Sequence, residues 1–555
     1  MPPLHTPMPP ALAPCFPILL VGTRIEEDSA LGRSIQEIES ALTAVGRQVI
    51  VAHSLDEVEA LIEAHAALSC LVLGWGLATA SDDALAQTER ILARLRRHAR
   101  RLPVLLAGTR HATREVPLEI VEQVEGYIRV PEDSPTFVAG RIDAAARRYL
   151  DTVLPPFFGK LASFAGVHEY SWHTPGHTGG TAFMKSAVGR AFLGFYGEQL
   201  LRSDLSVSVG SLGSLNDHSG PIAEAERHAA EVFGADQTLF SVGGSSASNE
   251  IILQACVADG DVVLVDRNCH KSLNYALSMS GAIPVYLRPR RNPRGLIGPV
   301  PASELEAEAV QGKLRESPLL KGRVQKPVLA VLTNSTYDGL CYDVEHTTRV
   351  LSQSVDRIHY DEAWYAYARF NPLYEGRYGM HRGTRGAEDA TVTVTHSTHK
   401  LLAALSQASM IHIRSGRAPV EPALLNEAFM MHTSTSPQYS ILASTDVSAK
   451  MMNDSGSALT EESIREAIDF RKAMLRIGRD LERRKSGDWW FQTWQSDEFE
   501  GRSFSEADPD LLARSSDAWL LGPKQHWHGF GDLGPRYCML DPIKVTTLTP
   551  GVGPT

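Results

Sequence analysis

The sequence predicts an α/β protein built from two doubly wound units. Over the first 150 residues, short apolar runs alternate with longer amphipathic stretches, and from about residue 190 the same alternation returns on a larger scale. The composition agrees: 43% hydrophobic and 21% charged residues over 555 positions suit ordinary globular domains, with length for three or four domain-sized units and a large core.

Taken in order, residues 1–14 (MPPLHTPMPPALAP) read as a disordered leader, rich in proline and lacking the basic and apolar regions of a signal peptide. Residues 15–150 hold five apolar runs, Pro17–Val21, Gln48–Ala52, Cys70–Trp75, Pro103–Ala107 and Gly126–Val130. Separated by stretches such as Asp83–Arg101, they predict a small parallel sheet of the flavodoxin or response-regulator type. A phosphorylatable receiver needs an aspartate at the end of its third strand. Here that run ends in Leu73, Gly74 and Trp75, so a wing serving structure or assembly is expected, not phosphorelay. Residues 151–190, with LPPFF and YSWHTPGHTGG, read as a linker.

The larger unit is expected over 191–450. Pro221 opens the helix PIAEAERHAAEVF and Gly234 ends it. A short strand precedes Gly243, and Val/Ile-rich runs at Val262–Asp266, Pro284–Leu287, Val328–Thr333, Arg357–Tyr360 and Thr391–Thr395 predict buried parallel strands. From about residue 450, EESIREAIDFRKAMLRIGRDLERR begins a further helical unit, 451–555. There are no internal repeats.

Several classes are disfavoured. A net charge of −11 argues against nucleic acid as a main partner. Six cysteines without a CxxC pair indicate neither a zinc site nor a disulfide framework, and fit a reducing cytoplasm. No apolar run is long enough to span a membrane.

Four segments carry chemistry. In THSTHK (395–400), Lys400 follows the strand ATVTVT beside two histidines and small hydroxyls. A partly desolvated lysine loses its proton readily and can form a Schiff base; the alternative is a surface lysine opening a helix. In HYDEAWYAY (359–367), Asp361 ends a strand, where a carboxylate can keep a pyridine nitrogen protonated; the alternative is a helix N-cap. In FSVGGSSASNE (240–250), Gly243, Gly244, Ser245 and Ser246 join a strand to a helix whose free amides suit a phosphate. In VLVDRNCHKS (263–272), His270 follows another strand, placed to stack on a ring or to act structurally. The order 243–246, 270, 361, 400 sets all four at the carboxyl ends of predicted parallel strands, the edge where open α/β sheets bind ligands.

These segments resemble the fold-type-I pyridoxal-phosphate enzymes, and among them the bacterial ornithine/lysine/arginine decarboxylases. The likeness covers most of the chain and is carried by YSWHTPGHTGG, LRSDLSVSVGSLGSLNDHSGPIAEAE, LVDRNCHKS, TNSTYDG, HYDEAW, THSTHKLLAALSQASMIH, FMMHTSTSPQY, WHGF and LDPIKVTTLTPG. It implies that pyridoxal 5'-phosphate is held as a Schiff base by Lys400. Asp361 would pair with the ring nitrogen and His270 would stack on the ring. Gly244, Ser245, Ser246, Ser397 and His399 would bind or flank the phosphate, and Trp364 would line the pocket. It implies decarboxylation of lysine first, then arginine, then ornithine, by a homodimer or larger homo-oligomer assembled through wing and major domains. Two departures stand out. The phosphate loop reads GGSSA at 243–247 where the family has a sequence like NGTST, and the family continues past LDPIKV, so the C-terminal small domain is expected to be incomplete. Transamination and a non-catalytic assembly subunit are the rival readings.

Overall fold

The computed structural model describes all residues except 1–7, 10–11, 22–29, 65–66, 76–80, 99–100, 115, 168–171, 206–208, 324, 384–385, 485–490, 524 and 549–555. Most of the expected leader therefore lies outside the described residues. The chain divides into two compact units, Met1–Trp172 with Gly179–Ser203, and His173–Thr178 with Asp204–Thr555.

The first unit holds a five-stranded sheet: β1 (Ile18–Val21), β2 (Val49–Ala52), β3 (Cys70–Gly74), β4 (Val104–Gly108) and β5 (Gly126–Arg129), ordered β2-β1-β3-β4-β5. All neighbours are parallel, as expected for strands whose connections contain helices. Those helices are α1 (Ala30–Ala44), α2 (Leu55–Ala64), α3 (Ser81–His98), α4 (Leu118–Val121) and α5 (Pro135–Val153). Alternation along each strand splits the core. Ile18, Leu20, Cys70 and Val72 pack toward α1 and α5, while Leu19, Leu71, Leu73 and Leu106 pack toward α2 and α3. β3 ends at Gly74, followed by buried Trp75. The stretch expected as a linker contains helix: α6 (Pro156–Gly166) starts with proline at its first position, and α7 (Ala187–Tyr196) and α8 (Glu198–Ser203) follow. Pro155 and Pro156 open α6 because proline lacks only an amide that a helix start leaves unpaired.

The second unit is built on a seven-stranded sheet. Its members are β6 (Gln237–Ser241), β7 (Val262–Asp266), β8 (Ile283–Leu287), β9 (Leu329–Thr333), β11 (Arg357–Asp361), β12 (Thr391–His396) and β13 (Ser409–Arg414), ordered β6-β13-β12-β11-β9-β7-β8. β10 (Leu340–Tyr342) lies apart and pairs with the strand Cys538–Leu540. β13 was not anticipated; it runs antiparallel between β12 and β6, leaving β6 parallel to the rest. Helices α9 (Gly220–Phe233), α10 (Gly244–Cys256), α11 (Lys271–Ser280), α12 (Ala307–Glu316), α13 (Val344–Leu351), α14 (Thr398–Leu401) and α15 (Pro422–His432) surround or cap the strands. Pro221 opens α9, and Gly234 closes it in the left-handed conformation at φ 74°. The C-terminal helix α16 (Tyr439–Arg484) begins well before residue 450, because Tyr439, Ile441, Leu442 and Ala443 already bury an apolar face.

Candidate active site

The segments singled out in the sequence meet at the carboxyl edge of the large sheet. β6 runs into α10 through Gly243 and Gly244, β7 into α11 through His270, and β12 into α14 through Ser397, while β11 ends in Asp361. Gly244 takes φ +72°, which turns the chain sharply into α10, and its amide donates to the Gln407 carbonyl at 2.9 Å. At Gly243 a Cβ would lie 2.6 Å from the Cβ of Ala247. Two of the positions at which this loop departs from the family pattern thus fit each other: Gly243 makes room for Ala247. The following first-turn amides of α10 have no acceptor within the helix and bring partial positive charge to this edge. Across from them the Ser397 hydroxyl donates to Ser245 Oγ at 2.6 Å, tying the two loops together, while the buried Thr398 hydroxyl has no partner among the described residues. Ser246 is exposed. His399 directs Nδ1 to the Ala408 carbonyl at 2.8 Å.

Lys400 is half-buried, and its Nζ stands 4.5 Å from the centre of the Trp364 ring, which Tyr337 meets edge-on at 5.4 Å. Burial lowers the pKa of the Lys400 ammonium; Asp361 opposes this and the Lys544 charge adds to it. Asp361 is buried. One carboxylate oxygen accepts from the Ala363 amide at 3.2 Å and the other from Asn249 Nδ2 at 3.1 Å. It caps no helix, since the next helical turn begins only at Ala368. His270 is exposed and does cap one: its Nδ1 accepts from the Ser272 amide at 3.3 Å and lies 2.9 Å from the Ser272 hydroxyl.

Three residues not assigned roles from the sequence belong to this cluster. Asn249, on α10, connects Asp361, Ser272 (3.2 Å) and His359 (3.0 Å). His359 sits on β11 beside Asp361. Lys544, largely buried, donates to Ser335 Oγ at 2.5 Å and the Thr336 carbonyl at 3.4 Å, with Asp541 3.8 Å away. The pattern did hold a signal for two of them. Asn249 lies four residues after Ser245, on the same helix face, and His359 lies two before Asp361, on the same strand face. Among the described residues no cluster of three or more His, Cys, Asp or Glu side chains is placed to hold a metal. Nor is any helix there long and apolar enough to cross a membrane.

An open α/β sheet that gathers a partly desolvated lysine, a buried carboxylate and a hydroxyl-lined helix start at one edge is an arrangement suited to an enzyme with chemistry at the ends of its strands. Comparison with known proteins narrows this. Residues 155–555 match the Orn/Lys/Arg decarboxylase major domain, and residues 30–149 match the N-terminal domain of the same family. The chain belongs to the Orn/Lys/Arg decarboxylase family. It is 45% identical over 543 residues to the lysine decarboxylase LdcA of Pseudomonas aeruginosa, covering 97% of this chain and 70% of that protein. It is 43% identical over 539 residues to the biodegradative arginine decarboxylase of Escherichia coli, covering 95% of this chain and 71% of that one. Among solved structures, lysine decarboxylase A from Pseudomonas aeruginosa superposes with a TM-score of 0.89 at 44% identity, covering 97% of this chain and 71% of that chain. The constitutive lysine decarboxylase of E. coli gives 0.82 at 34% identity, covering 97% and 70%.

Proposed function

We propose that this chain decarboxylates a basic amino acid, lysine before arginine and arginine before ornithine, using pyridoxal 5'-phosphate held covalently through Lys400. The observation that carries the reading is that Lys400 and Asp361 stand together at or just past the carboxyl ends of the adjacent strands β12 and β11. The Lys400 amine is biased toward its neutral, nucleophilic form by burial and by Lys544. Asp361 acts as an acceptor in both of its hydrogen bonds, since Asn249 Nδ2 and the Ala363 amide are N–H donors.

The donor set fits the cofactor. The α10 amides, Ser245 and Ser397 would form a cradle for a phosphate, and the buried Thr398 hydroxyl lacks a partner among the described residues. Ser246 and His399 flank that cradle, and Gly244 keeps its backbone open. Asp361 would hold a proton on the ring nitrogen. His270 would cover one face of the ring, and Trp364 would wall the pocket beside Lys400. Bound there, the cofactor supplies an electron-poor ring that accepts the electron pair left on the α-carbon as the carboxylate departs as CO2. Each turnover takes up one proton, which suits acid resistance as well as polyamine supply.

The same reading assigns residues 15–150 as an assembly wing, 191–450 as the cofactor-binding domain and 451–555 as part of a smaller domain. It places the enzyme in the cytoplasm as a homodimer or larger homo-oligomer. Borohydride reduction of the cofactor-loaded chain, followed by peptide mapping, tests the attachment. The added mass is expected on the peptide containing Lys400 and absent in Lys400→Ala; mass on another lysine would refute the assignment.

A further inference from the structure

Asp361 works as a partner for a ring nitrogen only while it remains an acceptor in a fixed orientation, and the structure contains a device that enforces both. Behind the carboxylate lies a chain of buried side chains from four elements. Asn249 of α10 donates through Nδ2 to Asp361 Oδ2 at 3.1 Å and to Ser272 Oγ at 3.2 Å. Its carbonyl oxygen lies 3.0 Å from His359 Nε2. His359 Nδ1 in turn lies 2.9 Å from the Thr393 hydroxyl, on the strand register partner of His359. Asn249, His359, Asp361, Ser272 and Thr393 are all buried.

The direction of every hydrogen bond in this chain follows from its end. A carboxylate can only accept, so the Asn249 amide nitrogen must face Asp361 and its carbonyl must face His359. That carbonyl can only accept, so His359 carries its proton on Nε2. Nδ1 is then an acceptor, and the Thr393 hydroxyl donates to it. Reversing any one bond would set two acceptors or two donors against each other in a site closed to water. The Ser272 branch runs the same way: Ser272 accepts from Asn249 and donates to His270 Nδ1. One amide therefore orients both the carboxylate and, through Ser272, the imidazole.

We infer that Asn249 and His359 are positioning residues that hold Asp361 as an oriented, acceptor-only carboxylate for the cofactor's ring nitrogen. This rests on the role proposed for Asp361, and the test separates the two. The readout is the pH midpoint of the bound cofactor's visible absorption band, measured alongside the melting temperature of the cofactor-free chain. A protonated ring nitrogen withdraws electrons and lowers that midpoint, so losing it moves the midpoint to higher pH.

Asp361→Asn is the reference and should raise the midpoint by at least about one pH unit, a tenfold change in proton affinity. Asn249→Asp replaces the donor with an acceptor and should raise it comparably. His359→Leu removes the donor that fixes the amide and should also raise it, whereas His359→Gln, which keeps a side-chain N–H, should return it toward the wild-type value. A purely structural role would lower melting temperatures without moving the midpoint. If Asp361→Asn leaves the midpoint in place, the role of Asp361 itself fails. If Asp361→Asn moves it and both Asn249→Asp and His359→Leu leave it unmoved, the positioning pair is refuted. Should Asn249→Asp not fold, the contrast between His359→Leu and His359→Gln decides alone.

Discussion

Burying His359 in its neutral form makes the fold sensitive to acid in a calculable way. Desolvation pushes its pKa from 6.5 down to about 4, with the Asp361 charge opposing the shift. The groups packed on it are Asn249 from α10 and Thr393 from β12, both uncharged, so Asp361 is the charge that acts on it. Because the folded pKa lies below the unfolded one, the unfolded chain takes up the proton first as the pH falls. The contribution of this residue is fully present above pH 6.5 and is lost as the pH drops toward 4. Linkage between those two values gives a loss of about 2.5 kcal/mol at pH 4.5 relative to pH 8. His359→Gln keeps a donor for Asn249 and cannot titrate. Urea unfolding of the cofactor-free chain at pH 8 and pH 4.5, for both proteins, isolates the effect, since buried His412 and half-buried His228 titrate equally in each. The wild type is expected to lose about 2.5 kcal/mol more than the variant over that interval. Equal losses would refute the reasoning.

Three further outcomes are expected. Asp361→Asn should retain cofactor, seen by absorbance, while kcat falls on the order of 10²-fold or more, the scale of removing one preorganised electrostatic partner. Lys544→Met removes a charge that lowers the Lys400 pKa, so covalent attachment of the cofactor should slow near pH 7, with a smaller effect at higher pH, followed by stopped-flow absorbance. At Gly379 a Cβ would lie 2.3 Å from Val394 Cγ2, and the Gly379 amide donates to Glu362 at 2.7 Å. Gly379→Ala should therefore cost about 1–3 kcal/mol by overpacking, partly restored by Val394→Ala in a calorimetric comparison.

Much of this architecture is legible in the sequence because buried parallel strands announce themselves. VVLVD, LAVLT and TVTVTH are dense in β-branched and apolar residues and fall within a residue or two of β7, β9 and β12. β13 escaped because SMIHIR enters the sheet antiparallel after the short α14, so no helix of ordinary length marks its approach. The linker reading missed α6 because paired prolines look like a loop breaker and are also tolerated at a helix start. Of the candidate site, the positions of Lys400, Asp361 and the glycine turn at or just past strand ends were legible. Its support was not. Whether Asn249 or His359 is a surface residue or a buried bond partner depends on what packs behind it, and β11, β12 and α10 are brought together across more than a hundred residues of chain. The single sequence shows the faces these residues share with Ser245 and Asp361, but not that those faces meet.

The most direct measurement is CO2 release by the purified, cofactor-loaded chain offered lysine, arginine and ornithine separately, beside Lys400→Ala. The structure and the family together predict release that is greatest with lysine and abolished in the variant. Release that persists in Lys400→Ala, or no release from any of the three amino acids, would contradict the proposed function.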